Sequence, residues 1–186
     1  TSLPSSTVTT GAGSSIYRHI LSTGQSLSEG VNSSPVLSST QPYSNKSLSN
    51  SPDGGLSAPL IPLVETVNGR ESPASGRANS LTALISGNPT IIDTIHGQGG
   101  QAFASIKKGG SGSAYSNGQT QASVVKAQTI SAGAYYLPFG VTLTHGESDA
   151  IAGTSASTYE SETAQMQIDY ETDWNALTGR SRSEEH

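Results

Sequence analysis

The sequence TIIDTIH at residues 90–96, followed at once by GQGG at 97–100, decides the fold class of this chain. Its apolar and β-branched residues predict a buried strand. The glycines that follow predict a tight turn where that strand ends.

The same arrangement of a strand followed by a polar loop occurs at two other places. IYRHIL at 16–21 leads to GQSL at 24–27, and AYYLPFGVTLT at 134–144 leads to HGESD at 145–149. Both apolar stretches are rich in β-forming residues, so each predicts a strand with a loop of small and polar residues directly after it.

Helical patterns separate these strands. Residues 72–85 predict a helix with Ser75 as N-cap, Leu81, Leu84 and Ile85 on its apolar face, and Gly87 after its end. Residues 119–132 predict a second helix, with core positions at Val124, Val125 and Ile130. A third helix carries an amphipathic stripe, is capped by Ser157 and ends at Gly179. Its stripe consists of Tyr159, Thr163, Met166, Tyr170, Trp174 and Leu177.

Alternating strands and helices predict an α/β fold, a three-layer α/β/α sandwich around a parallel sheet. In such a sheet, the loops at the carboxyl ends of the strands build the binding site. We therefore expect the loops at 24–27, 97–100 and 145–149 to meet. Residues 28–58 and 107–118 predict loops, and LIPLV at 60–64 predicts an edge strand or extended segment because of its proline.

Composition excludes several classes of function. The chain has no Cys, which rules out a disulfide scaffold, a thiolate metal site and a cysteine nucleophile. The net charge of −5, without a cluster of Lys or Arg, argues against nucleic acid and anionic membranes as partners. No apolar run approaches the ~18 residues of a membrane span.

The loop GQGGQA at 97–102 matches the G-x-G-x-x-A form of a dinucleotide-binding turn. That interpretation requires an acidic residue about 20 positions later, yet none occurs between Asp93 and Glu147. Two alternatives stay open, namely a tight turn that needs positive φ and a set of backbone amides lining an anion or oxyanion site. His96, His145, Glu147 and Asp149 lack the spacing of a metal motif, so we expect neither a metal nor a cofactor.

Ser26 is one of 33 serines, so its identity alone carries little information. Its position after a strand and a Gly-Gln pair is more informative. A serine there is exposed at the edge of the sheet, and its own amide can point at a developing oxyanion.

These loops together resemble the conserved blocks of the SGNH (GDSL-like) hydrolases, in particular the sialate O-acetylesterases and related carbohydrate acetylesterases. GQSL at 24–27 resembles the first block in its Gly-Gln-Ser form, Gly99-Gly100 the second, and HGESD at 145–149 the third, which is usually Gln-Gly-Glu-Ser-Asp. The blocks occur in the expected order, and the similarity extends over about residues 16–180.

The resemblance implies a role for each of these residues. Ser26 would be the nucleophile, and the amides of Ser26 and of Gly99 or Gly100 would donate to the oxyanion. His145 replaces the glutamine that serves as the third donor in the carbohydrate group, and a neutral imidazole also carries one N–H. Supporting positions would be Gln25, Gly97, Glu147 and Asp149, the last two fixing the loop through hydrogen bonds.

The general base of the family is a histidine in an Asp-x-x-His block that comes after the third block, and no such block follows HGESD at 145–149 in this chain. We therefore expect residues 16–186 to be the N-terminal part of an SGNH-like domain that lacks its last strand and this block, preceded by a flexible lead-in at 1–15. His19 and His96 are the candidates for a substitute base.

Two functions follow from the resemblance. The first is hydrolysis of a small-molecule or glycan ester, with removal of an acetyl group from a carbohydrate. The second is a non-catalytic carbohydrate-binding or adhesive module on the same fold, with sugar contacts at Arg70, Glu71, Arg77 and Tyr115. The Ser/Thr-rich start and the implied substrate give a preference for a secreted or surface location.

Overall fold

A computed structural model describes residues 15–49, 58–67 and 69–179. Its centre is a five-stranded sheet in the order β3-β2-β4-β1-β5. The strands are β1 (Ile16–Gly24), β2 (Lys46–Leu48), β3 (Leu60–Pro62), β4 (Thr90–Ile95) and β5 (Tyr135–Thr144). The helices are α1 (Pro73–Leu84), α2 (Phe103–Ile106), α3 (Ala114–Ser131), α4 (Glu147–Ala152) and α5 (Ala156–Thr178).

The sheet is parallel except at one edge, which confirms the predicted α/β class. Strand β1 lies between β4 and β5 and is parallel to both. In that register Ser22 is opposite Ile95, and Gly24 is opposite Thr144. The three predicted strands therefore end at the same edge of the sheet.

Side chains of the central strands alternate between two helical layers. Ile20, Ile91 and Ile95 pack against α1 on one face. Leu21 packs with α2, α3 and α5 on the other face. The core thus has the three layers that the alternation of strands and helices predicts.

The N-cap of helix α1 is Ser72, three residues before the predicted cap Ser75. Ser72 has extended backbone angles, and its Oγ accepts the N–H of Ala74 at 3.2 Å. Ser75 instead lies inside the first turn and donates its hydroxyl to Glu65 at 2.8 Å. The prediction that Leu84 lies on the buried face of α1 is also wrong, since Leu84 is 82% exposed. The buried face of the helix consists of small residues such as Ala78.

Helix α3 begins at Ala114, inside the segment predicted as a loop. The ring of Tyr115 packs on Tyr170 with centroids 4.6 Å apart, and its hydroxyl donates to Asp173 at 2.9 Å. These tertiary contacts override the weak helix propensity of the Ser- and Gly-rich sequence. Val125 is buried as predicted, whereas Ile130 is 57% exposed.

The predicted loop at 28–58 contains strand β2, and its residues 50–57 lie outside the described residues. Asn45, just before β2, is buried, and its Oδ1 accepts hydrogen bonds from Thr82 at 2.8 Å and from the N–H of Ile91 at 2.9 Å. Strand β3 pairs antiparallel with β2 at the sheet edge, as its proline predicts.

Helix α5 buries Met166, Tyr170 and Trp174 of the predicted stripe. Its N-cap is Ser155 rather than Ser157, while Gly179 ends it in the left-handed conformation as predicted. None of the helices in the described part of the chain is both long and apolar enough to cross a membrane.

Candidate functional site

The loops after β1 and β5 are in close contact at the carboxyl edge of the sheet. Gln25 donates its N–H to the carbonyl of Thr144 at 3.0 Å. Gly24 has a φ of 141°, and a Cβ there would overlap the same carbonyl oxygen. Only glycine fits at this position, because both its backbone conformation and the close approach exclude a side chain.

The loop after β4 closes over the same turn. Gln98 donates its N–H to the carbonyl of Gly24 at 2.9 Å, and a Cβ at Gly97 would overlap the hydroxyl of Ser28. Ser28 in turn donates that hydroxyl to the carbonyl of Gln25 at 2.6 Å. Gly97 therefore allows two polar loops to pack directly against each other.

Ser26 is half-buried and begins a short 3-10 helix, Ser26–Glu29. Its carbonyl accepts the N–H of Val31 at 3.0 Å. Gly99 faces it, since a Cβ at Gly99 would lie 3.8 Å from the Cβ of Ser26. Within the described part of the chain, no side chain forms a hydrogen bond with the hydroxyl of Ser26. Gly100, with a φ of 71°, borders open space.

Gln25 joins the first loop to the third, and we call this set of contacts the Gln25 clamp. The side chain is only 4% exposed. Its Nε2 donates to the carboxylate of Glu147, and its Oε1 accepts the N–H of Ser148 at 3.3 Å. The clamp fixes the start of α4 against the turn that carries Ser26.

His145 is directed away from the role expected of it. Its side chain is completely buried, and its Nε2 lies 2.9 Å from the carbonyl of Gln101, which can only accept a hydrogen bond. Its Nδ1 lies 3.1 Å from the hydroxyl of Tyr159 and 3.7 Å from Asp149. The ring stacks on Tyr159 and meets the edge of Phe103. In this geometry the imidazole N–H is used inside the protein, so it is not free to bind an oxyanion.

Asp149 holds the beginning of α2. One carboxylate oxygen accepts the N–H of Phe103 at 2.7 Å, and the other accepts the hydroxyl of Thr154 at 2.9 Å. The hydrogen bond from Thr154 is local, and the one from Phe103 joins two loops. The carboxylate therefore fixes the conformation of the third loop.

Neither candidate for a substitute base is hydrogen-bonded to Ser26. His19 is fully buried, with its ring nitrogens 2.9 Å from Tyr136 and from Thr94. His96 is also fully buried and lies 2.9 Å from the hydroxyl of Tyr170. Burial lowers the pKa of each imidazole to about 3, which keeps both rings neutral at physiological pH.

The residues suggested for sugar contact have partners within the protein. Arg77 forms a two-pronged ion pair with the buried Asp93, at 2.9 Å from Nε and 2.8 Å from Nη2. Desolvation by itself would raise the pKa of the Glu71 carboxyl, but hydrogen bonds from the hydroxyl of Ser38 and from the N–H groups of Ser38 and Leu37 lower it below its ordinary value.

Sequence reasoning missed the buried network around Arg77. Ser22 of β1 donates its hydroxyl to Asp93 at 2.8 Å, and Thr142 of β5 donates to Ser22 at 3.0 Å. The sequence feature that could have indicated this network is the single aspartate within the apolar stretch 90–96, because a carboxylate in a buried strand requires a cationic or hydrogen-bonding partner.

Over residues 15–49, 58–67 and 69–179, no three His, Asp or Glu side chains lie close enough together to hold a metal ion. No protein-family model matches the chain, and no functionally curated protein shows significant sequence similarity to it.

Proposed function

We propose that this protein is a serine ester hydrolase that removes an acetyl group from a carbohydrate through Ser26. The observation that carries the proposal is the position of Gly99 against Ser26 at the first turn after β1. A glycine leaves its backbone amide open to a substrate that reaches the serine hydroxyl. The order of the three loops, which resembles that of the SGNH hydrolases, supports the same function.

In the proposed reaction, the Oγ of Ser26 attacks the ester carbonyl and its proton passes to a base. The negative charge that develops on the carbonyl oxygen is stabilised by the amides of Ser26 and Gly99. The tetrahedral intermediate expels the sugar alcohol, and water then hydrolyses the acetyl-serine. His145 enters this proposal as a positioning group that holds Gln101 and Tyr159, because its N–H already has an acceptor.

The base in this mechanism is proposed to come from outside the described residues. His19, His96 and His145 are all engaged with partners in the protein interior. Because a general base contributes roughly 10²–10⁴-fold to such a reaction, hydrolysis without one would be slow but dependent on the serine.

The test is hydrolysis of p-nitrophenyl acetate and of an acetylated xylo-oligosaccharide by the wild-type protein and Ser26→Ala. We expect the serine variant to fall to the background rate. Ser80→Ala, at an exposed position of α1, is the matched control and should retain the wild-type rate. Equal rates for Ser26→Ala and Ser80→Ala would refute the assignment of the nucleophile.

A second candidate is a non-catalytic carbohydrate-binding module. It is favoured by the burial of His19 and His96, whose ring nitrogens contact Tyr136, Thr94 and Tyr170 rather than Ser26. Calorimetric titration with acetylated and deacetylated xylo-oligosaccharides distinguishes the two functions. Binding that is unaffected by Ser26→Ala, together with no acetate release, would establish the module instead of the enzyme.

A further inference from the structure

The hydroxyl of Ser28 lies between the loop after β1 and the loop after β4. Ser28 is buried, and its Oγ donates a hydrogen bond to the carbonyl of Gln25 at 2.6 Å. Its backbone N–H donates to the same carbonyl at 2.8 Å. Because both donors of Ser28 bind one carbonyl, the hydroxyl has a fixed position behind the turn that carries Ser26.

This hydroxyl occupies the space that a side chain at position 97 would need. A Cβ on Gly97 would overlap the Oγ of Ser28, and the next nearest atom, the carbonyl oxygen of Gly24, would be 3.2 Å away. The φ of Gly97 lies outside the left-handed range, so its backbone conformation is compatible with an L side chain. Glycine is therefore needed at this position for space alone.

The pair of Ser28 and Gly97 is adjacent to the pair of Ser26 and Gly99. Ser26 precedes Ser28 by two residues in the 3-10 helix, and Gly99 follows Gly97 by two residues. A Cβ on Gly99 would lie 3.8 Å from the Cβ of Ser26, so the two loops are also close together at the candidate site. Any change in the spacing of the loops at the buried pair therefore also changes their spacing at Ser26.

We propose that Ser28 is a positioning residue for the reaction at Ser26, and that its contact with Gly97 sets the distance between the nucleophile and the amide of Gly99. This inference rests on the proposed function, because it concerns the rate of the same reaction. An oxyanion donor acts at about 2.7–3.1 Å from the developing charge, and a misplacement of about 1 Å can lower a rate roughly 100-fold. Since Ser28 is buried, it acts through the two loops rather than on the ester.

The test exchanges space between the two residues. Gly97→Ala adds the overlapping Cβ, Ser28→Ala removes only the Oγ, and the double variant does both. We measure kcat and KM for hydrolysis of p-nitrophenyl acetate, after subtraction of the rate of Ser26→Ala. We expect Gly97→Ala to lower kcat at least tenfold and to leave KM nearly unchanged, because the change acts on the geometry of the transition state. In the double variant the overlap is gone, so kcat should return to within about threefold of Ser28→Ala.

A fluorophosphonate probe provides a second measurement that requires no turnover. The Oγ of Ser26 forms a bond to phosphorus, fluoride leaves, and the serine proton passes to water, while the phosphonyl oxygen takes the place of the oxyanion. The labelling rate, followed by intact mass, should decrease in Gly97→Ala and recover in the double variant. Gly76→Ala is the matched control, because Gly76 is exposed in α1 and borders open space, and it should retain the wild-type rates.

The outcomes distinguish this inference from the proposed function. A wild-type kcat in Gly97→Ala, a change in KM alone, or a double variant at least tenfold slower than Ser28→Ala would overturn the role of Ser28 and leave Ser26 as the nucleophile. If Gly97→Ala does not fold, the comparison of Ser28→Ala with the double variant decides, since neither contains the overlap. Hydrolysis and labelling that are independent of Ser26 would overturn the proposed function, and the role of Ser28 with it.

Discussion

Replacing Gln25 with Glu tests the clamp that organises the candidate site. In the wild-type protein the amide of Gln25 donates to the carboxylate of Glu147 and accepts the N–H of Ser148. In Gln25→Glu the donor disappears, and two carboxylates face each other at hydrogen-bond distance. The variant therefore loses one charge-assisted hydrogen bond and gains a repulsion.

The size of this effect depends on screening. Two like charges ~3 Å apart repel by about 5 kcal/mol at an effective dielectric constant of ~20, and by about 1.4 kcal/mol in water. Since Gln25 is buried but Glu147 is exposed, a value between these limits applies. We expect a loss of about 2 kcal/mol in the free energy of unfolding at pH 7. With an m-value of ~2 kcal/mol per M, the urea midpoint should fall by about 1 M.

The loss should depend on pH with a definite sign. One of the two facing carboxyl groups of the variant is more easily protonated in the folded protein than in the unfolded chain. A raised folded-state pKa contributes stability at low pH that is lost as pH increases. The difference between Gln25→Glu and wild type should therefore nearly vanish at about pH 4.5, close to the ordinary pKa of Glu.

The double variant Gln25→Glu/Glu147→Gln provides the matched control. It exchanges the amide and the carboxylate, so the hydrogen bond between them and the bond to Ser148 can both form again. We expect its unfolding free energy at pH 7 to return to within about 1 kcal/mol of wild type. The stabilising role of the Gln25 clamp would be refuted if Gln25→Glu were as stable as the wild-type protein, or if the double variant were no more stable than the single variant.

Three further predictions concern the interior. Burial lowers the pKa of His19 and His96 to about 3, so as the pH decreases through about 6.5 the unfolded chain binds protons before the folded protein does, and the free energy of unfolding decreases. We expect urea titrations to show a loss of about 4 kcal/mol between pH 7 and pH 5 in the wild-type protein, and roughly half of that loss in His19→Gln. Gly24→Ala should lower the free energy of unfolding by at least about 3 kcal/mol, because the new Cβ would overlap the carbonyl of Thr144. The control Gly133→Ala has a φ of 72° but open space around it, so its loss should be only about 1 kcal/mol. Similar losses in the two variants would contradict the close approach of Gly24 to Thr144. Arg77→Met leaves a buried carboxylate unpaired and should cost about 3 kcal/mol by chemical denaturation, and a loss below 1 kcal/mol would show that the ion pair is not essential.

The long strands β1, β4 and β5 could be predicted because each is a local stretch rich in apolar and β-forming residues. Strand β2 could not, since Lys46-Ser47-Leu48 has no strand pattern of its own and is held through Asn45, whose partners lie 37 and 46 positions away. The start of α3 was missed for a similar reason, because the contacts of Tyr115 with α5 are not visible in the local sequence.

In the candidate site, the meeting of the three loops follows from the parallel order of β4, β1 and β5. The direction of a side chain does not follow from that order. His145 comes at the predicted strand end, yet its orientation depends on Gln101 and Tyr159, which belong to other elements. The catalytic role of Ser26 stays a prediction.

The ion pair between Arg77 and Asp93 also bears on which strand alignment the chain can adopt. Asp93 shares the α1-facing side of β4 with Ile91 and Ile95, whereas Ile92 points to the opposite layer. A slip of β4 by one residue would exchange the two faces and place the carboxylate in the layer of Val125 and Tyr136, away from Arg77. The pair thus penalises the wrong register, and we expect natural substitutions at these two positions to occur together.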